Sequence, residues 1–315
     1  MFPAARLPSF GPMIEITHLT KAYGSANAVD DLSFTVRPGR VTGFLGPNGA
    51  GKSTTMRVLV GLARATAGTA TIGGRRYVDL PDPLRQVGAL LEAPSVHNGR
   101  SPYHHLLALA QTHGLTTRRV DEVLALAGLD SVARRRAGGF SLGMRQRLGI
   151  ATALLGDPAV VILDEPTNGL DPDGVLWLRT LLRDLAAEGR TVLVSSHLMS
   201  EMAVTAHHLL IIGKGRLLAD TSVDDLIAMV EVDRVLVRVD RAREVRDLLV
   251  SRGATVTSDA ADVLYVSGVP LDVISAAAAG HGLRELTPQR ASLEQAYMEL
   301  TRGAVEFGAV PVGAR

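Results

Sequence analysis

The 315-residue sequence contains no cysteine, a single tryptophan and only 4% aromatic residues. The missing thiols exclude disulfides, thiolate zinc sites, iron–sulfur clusters and cysteine nucleophiles together, and fit a reducing compartment. Neither sign of charge is in excess, since 33 Lys and Arg stand against 32 Asp and Glu. Bulk attraction to polyanions is therefore disfavoured, and any affinity for phosphate must be local. No apolar run approaches the ~18 residues of a membrane-spanning helix, and residues 1–12 lack the apolar middle of a secretion signal. A soluble, intracellular chain is the expectation. What is abundant is apolar: 46% hydrophobic against 21% charged residues excludes disorder of the whole. The length predicts roughly two domains of about 150 residues each.

Residues 1–12 carry three prolines and no periodicity, which predicts a loose extension before an ordered start near Met13. From 13 to 229, short β-rich runs alternate with helical patterns, predicting a mostly parallel sheet covered by helices with a small antiparallel β part. Leu178, Leu181, Leu182 and Leu185 recur at helical steps and mark a stripe facing that sheet. Between about 93 and 155 the strand signals vanish, which predicts a helical insertion. Its Val120, Val123, Leu124 and Ala127 share one face, and Gly128 ends the helix. Residues 230–302 read as a small α+β domain. It alternates at Val235, Val237 and Val239, has a helix through Val245, Leu248 and Leu249, and strands near 254–257 and 263–266. A helix over about 271–279 follows, then a last helix with Leu293, Ala296, Tyr297 and Leu300 on one side. Residues 303–315 read as a tail.

Gly46-Pro47-Asn48-Gly49-Ala50-Gly51-Lys52-Ser53 fits G-x-x-x-x-G-K-[ST]. It follows an apolar strand and, with Thr54, opens a helix, as phosphate cradling demands. Glycines let consecutive N–H groups face one phosphate, and the helix start adds its positive dipole end. Lys52 is placed to reach the β/γ oxygens and Ser53 to offer a hydroxyl to Mg²⁺. The chain has only three lysines among its 33 basic residues, and one of them sits here, where a compact ammonium fits and a guanidinium fork does not.

Val160-Val161-Ile162-Leu163-Asp164-Glu165 is an apolar run ending in two carboxylates. On a buried parallel strand, its carboxyl end opens onto a nucleotide. Asp164 would then hold Mg²⁺ and Glu165 would activate the water attacking the γ-phosphate. A strand stop followed by an Asp-Glu-Pro turn explains the same residues equally well.

Together these residues resemble the ATP-binding subunits of ABC transporters over most of 13–229. Phe140-Ser141-Leu142-Gly143-Met144-Arg145-Gln146 is similar to the family's signature, with Ser141 and Gly143 in the expected places. Ser141 is also a good helix N-cap, a purely structural role. The resemblance implies that two subunits stack head to tail, each ATP held between one cradle and the partner's Ser141 and Gly143. Asn168-Gly169-Leu170-Asp171 resembles the loop crossing that interface. His197, after the strand 191–195, resembles the switch histidine on the γ-phosphate, although it is also one surface histidine among nine. Tyr23 resembles the aromatic that stacks on adenine, or is a half-buried strand tyrosine. Glu92 stands where most of the family has Gln; the family role there is Mg²⁺ coordination, and a carboxylate would retune it. The common Asp-Arg pair is His207-His208 here. On a strand these face opposite sides, so a shared metal ion is not expected.

Glu92 and the Ser-Leu-Gly-Met signature resemble exporters of drugs and peptide antibiotics, and residues 230–301 resemble an accessory domain found in some of them. The resemblance implies ATP and Mg²⁺ as cofactors, and a homodimer or a dimer with a related ATPase subunit. It also implies a separate multi-span permease that holds the chain at the inner face of the membrane. ATPases acting on nucleic acid or ribosomes are the rival class. They usually fuse two such halves or insert long coiled coils, which this near-neutral chain lacks, so no nucleic-acid partner is expected. A GTPase reading lacks its Asn-Lys-x-Asp motif.

Overall fold

The computed structural model describes residues 13–91, 96–229, 234–289 and 292–301. The expected extension over 1–12 and tail over 303–315 lie outside them. Contacts divide the described residues into two compact units, one running from Met13 to Val223 and including Leu300 and Thr301, the other lying within 224–299.

In chain order the first unit contains β1 (Ile14–Tyr23), β2 (Ala26–Val36), β3 (Arg40–Leu45), α1 (Lys52–Leu59), β4 (Ala67–Ile72), α2 (Pro83–Gln86) and β5 (Val87–Leu90). Three helices follow, α3 (Pro102–Thr112), α4 (Thr117–Leu126) and α5 (Leu142–Leu154). The unit continues with β6 (Val160–Leu163), α6 (Pro172–Ala187), β7 (Thr191–Ser195), α7 (Met199–Thr205), β8 (His208–Gly213) and β9 (Arg216–Ser222). Six strands form one sheet in the order β5-β6-β7-β3-β8-β9, parallel except for β9. Every residue of β6 and β7 is buried, which is why both read as unbroken apolar or hydroxyl-bearing runs without alternation. β2, β1 and β4 make a separate antiparallel sheet. The two sheets share a core in which Ile14, Ile16 and Phe34 meet Phe44, Ile162 and Leu210, with the Phe34 and Phe44 rings 5.4 Å apart.

The helical insertion has its own core around Leu106, Val120, Val123, Leu124 and Leu148. The lone Trp177 ties α6 to it, donating its indole N–H to the Leu126 carbonyl at 3.0 Å under the Arg147 guanidinium. Leu178, Leu181, Leu182 and Leu185 on α6 are buried as expected, each worth about 1.5–3 kcal/mol of transfer free energy.

The second unit begins within α8 (Val223–Met229), then runs through β10 (Arg234–Val239), α9 (Ala242–Ser251), β11 (Thr255–Ala260), β12 (Val263–Ser267), α10 (Leu271–Ala278) and β13 (Leu283–Gln289), and ends within α11 (Leu293–Thr301). Its four strands form an antiparallel sheet in the order β11-β12-β10-β13. Val237, Val239, Val245, Leu249 and Ile274 fill its core. One element differs from the sequence expectations. The sequence does not predict β13, because Arg284, Glu285 and Pro288 blur its alternation; as an edge strand it tolerates both charge and proline. Leu248 and Leu300 lie in the expected helices, α9 and α11, and are exposed.

Candidate active site

The segment between β3 and α1 supplies the cradle. A Cβ on Gly46 would stand 2.5 Å from the Ile212 carbonyl oxygen, so only glycine lets the chain pass there. Gly51 has φ of 104°, and a Cβ on it would stand 2.4 Å from the Ala28 carbonyl oxygen. The Gly51 carbonyl accepts both the N–H and the hydroxyl of Thr55, at 2.9 Å each, which fixes the first turn of α1. Lys52 is only 7% exposed. Its ammonium donates to the Gly46 carbonyl at 2.7 Å and the Pro47 carbonyl at 3.3 Å. Burial pushes the Lys52 pKa below its ordinary value, and the carboxylates of Glu165 and Asp164 oppose that shift.

Three parallel strands deliver the site at their carboxyl ends: β3 the cradle, β6 Asp164 and Glu165, β7 Ser195 and then His197. A cleft of about 200 Å³ is lined by Asn48, Gly49, Ala50, Gly51, Lys52, Ser53, Thr54, Asp164 and Glu165. The fully buried Ser195 holds the two carboxyl-bearing residues in place. Its hydroxyl donates to Asp164 Oδ1 and accepts the Glu165 N–H at 2.8 Å. Glu165 has φ of 49°, in the left-handed region. Such a conformation costs on the order of 1 kcal/mol in a non-glycine residue and persists only where surrounding contacts hold it. His197 approaches Glu165 Oε2 with its Nδ1 at 2.6 Å and its backbone N–H at 3.2 Å. Ser53 and Asp164 present hard oxygen donors to the same cleft and suit a magnesium ion. Glu92 lies outside the described residues.

The remaining candidates stand elsewhere. Tyr23 ends β1, more than half exposed, with the Lys21 ammonium 4.7 Å from its ring centroid. Ser141 caps α5 by accepting the Met144 N–H at 3.2 Å. Asp171 caps α6 by accepting the Gly174 N–H at 2.8 Å. Gly143 packs on the loop before α6 so closely that a Cβ would stand 2.9 Å from the Gly169 carbonyl oxygen. Buried Gln146 reaches the same loop through the Pro166 carbonyl at 3.1 Å. His207 and His208 take separate partners, His207 accepting the Val41 N–H and His208 pairing with Asp220. Ser195 is the site residue that sequence reasoning passed over; its signal was a hydroxyl at the end of a fully buried strand.

A buried lysine in a glycine-rich turn that opens a helix, facing two carboxylates at the end of a neighbouring parallel strand, defines a P-loop nucleoside triphosphatase. The family model described as ABC transporter matches residues 29–168, and that of a domain of unknown function matches 233–294. An uncharacterized ABC transporter ATP-binding protein, YhcH of Bacillus subtilis, is 44% identical over 68% of this chain and 71% of its own. The bacitracin transport ATP-binding protein BcrA of Bacillus licheniformis is 43% identical over 68% of this chain and 71% of its own. Among solved structures, an ATP-binding subunit of an ABC transporter is 30% identical, covering 69% of this chain and 92% of its own with a TM-score of 0.63. The chain belongs to the ATP-binding proteins of ABC transporters, and it is an ATPase that powers transport. No helix among the described residues is long and apolar enough to cross a membrane.

Proposed function

We propose that the protein drives export of a peptide antibiotic or similar toxic compound through a separate multi-span permease, at the inner face of the membrane. The observation that carries this reading is the 43% identity to a bacitracin transport ATP-binding protein across 71% of that protein. The working unit is a dimer, with a second copy or a related subunit, in which Ser141, Gly143 and Asp171 of one chain meet the nucleotide of the other. In their own chain Ser141 and Asp171 serve as helix caps, and the start of α5, capped by a neutral hydroxyl with no acidic residue in its first turn, is left as an anion-attracting end.

In the hydrolytic step, Gly46 and Pro47 shape the turn, the cradle N–H groups from Asn48 to Thr54 and the Lys52 ammonium hold the phosphates, and Tyr23 stacks on the base. Glu165 accepts a proton from the attacking water, and His197 fixes the orientation of that carboxylate. Ser53, Asp164 and Glu92 are the residues that would hold magnesium, which when bound neutralises charge on the β- and γ-phosphates. The γ-phosphate adds charge-assisted hydrogen bonds across the dimer that ADP cannot make, so binding closes the pair and hydrolysis releases it. Residues 230–302 form an accessory domain, with no catalytic constellation among its described residues, and serve packing or dimer contacts. The test is deletion of the gene followed by a panel of toxic compounds. Export predicts raised sensitivity to a peptide antibiotic, restored by the native gene and not by Glu165→Gln. Unchanged sensitivity across the panel would overturn the reading.

A further inference from the structure

At the edge of the main sheet opposite the ATP cleft lies a second cavity, of about 520 Å³. Arg40, the first residue of β3, and the exposed Arg37 line it, together with His208, Asp220, Ser33 and Thr35. Its charge balance is unusual. Asp220 is the one carboxylate in the lining, and it is taken by His208 Nε2 at 2.5 Å. The Nε donor of Arg40 is buried without a partner among the described residues. An orphaned buried donor is costly, and a small rotation of the Arg40 side chain, which lines the cavity, would turn that N–H toward an acceptor there. Burial, and then the charge of Arg37, lower the pKa of Arg40, with Asp220 opposing, so the two guanidinium groups repel each other. Burial, then the charges of Arg183 and Arg40, lower the pKa of the neighbouring His207, so the same positive field extends along this edge.

We propose that this cavity is an anion site for inorganic phosphate or a small phosphomonoester, held between Arg37 and Arg40. A guanidinium fork donates to two oxygens at once, and hydroxyls such as that of Thr35 can serve a third. A tetrahedral phosphate offers that third acceptor and a carboxylate does not. The site is separate from the ATP cleft and does not rest on the transport reading.

The test uses the full chain with its cleft filled by a non-hydrolysable ATP analogue. Inorganic phosphate, glycerol 3-phosphate and acetate are titrated in turn while the arginine Nε–H resonances are followed by NMR. The expected result is a saturable shift of the Arg40 signal with a Kd on the order of 1 mM. Binding should weaken at least tenfold in Arg37→Met, an exposed position where folding is not at risk, and vanish in Arg40→Met. It should persist in Lys52→Ala, whose cradle is disabled. The tighter of the two phosphates identifies the source of the ligand. A shift linear in phosphate, one insensitive to Arg37→Met, one lost in Lys52→Ala, or acetate binding as well as phosphate would each overturn the assignment.

Discussion

His197 Nδ1 stands 2.6 Å from Glu165 Oε2, and the backbone N–H of His197 reaches the same oxygen at 3.2 Å. A loop after β7 thus grips the carboxylate at the end of β6, and it occupies one oxygen while leaving the second for a water. Because the Glu165 backbone is in the left-handed region, the side chain does not leave the strand in the ordinary direction. The bond of its backbone N–H to Ser195 Oγ fixes where the side chain starts, and the bonds from His197 fix where it points.

Glu165→Gln keeps the shape of the side chain and removes its ability to accept a proton. Turnover should fall by about 10²–10⁴-fold with nucleotide affinity changed little, since general-base catalysis contributes that much. Phosphate release measured beside equilibrium binding of ATP checks it. A native rate of release would dismiss Glu165 as the base.

Lys52→Ala should abolish nucleotide binding without unfolding the chain. The ammonium is buried against its own tendency to shed charge, and in the free cradle it spends two hydrogen bonds on the carbonyls of Gly46 and Pro47. Those carbonyls can relax toward water once it is gone, so stability should change little while the phosphates lose their buried cation. Fluorescent-nucleotide binding and thermal unfolding, run side by side, test both halves; retained affinity would contradict the cradle assignment.

Much of this was legible in the sequence because spacing and chemistry coincide there. The run from Gly46 to Ser53 names its own geometry, and the all-buried strands Val160–Leu163 and Thr191–Ser195 announce a parallel sheet. Ser195 was not legible as a site residue, since a hydroxyl at a strand end acquires meaning only when the neighbouring strand places Asp164 and Glu165 beside it. β13 escaped for the opposite reason: an edge strand needs little burial, so its charges and proline leave no alternating pattern to read. Arg37 and Arg40 belong to no motif, and only the packing of two sheets encloses a cavity around them.

Ser195→Ala is therefore the sharpest test of what folding adds. The substitution removes the donor to Asp164 and strands the Glu165 N–H in a partly buried position. The expected cost is about 1–3 kcal/mol, lowering Tm by about 2–4 °C per kcal/mol for a unit of this size. Turnover should drop further than stability requires, because both carboxylates lose their common anchor. A variant with native kcat would reduce Ser195 to a packing residue.

Gly51→Ala separates conformational strain from steric exclusion when it is set beside Gly189→Ala. Both glycines have positive φ, 104° at Gly51 and 90° at Gly189. A Cβ on Gly189 meets nothing within 4 Å, so only the strain of an alanine in that region applies, on the order of 1 kcal/mol. On Gly51 the same strain is joined by a contact of 2.4 Å with the Ala28 carbonyl oxygen, a backbone atom in β2 that cannot swing aside. Relief requires the cradle itself to move, and with it the N–H groups that must converge on one phosphate. Gly189→Ala should thus shift the melting temperature slightly and leave ATP affinity intact, whereas Gly51→Ala should lose ATP binding by at least tenfold. Equal effects of the two on nucleotide affinity would mean that backbone strain alone, and not the close approach of β2, sets the shape of the cradle.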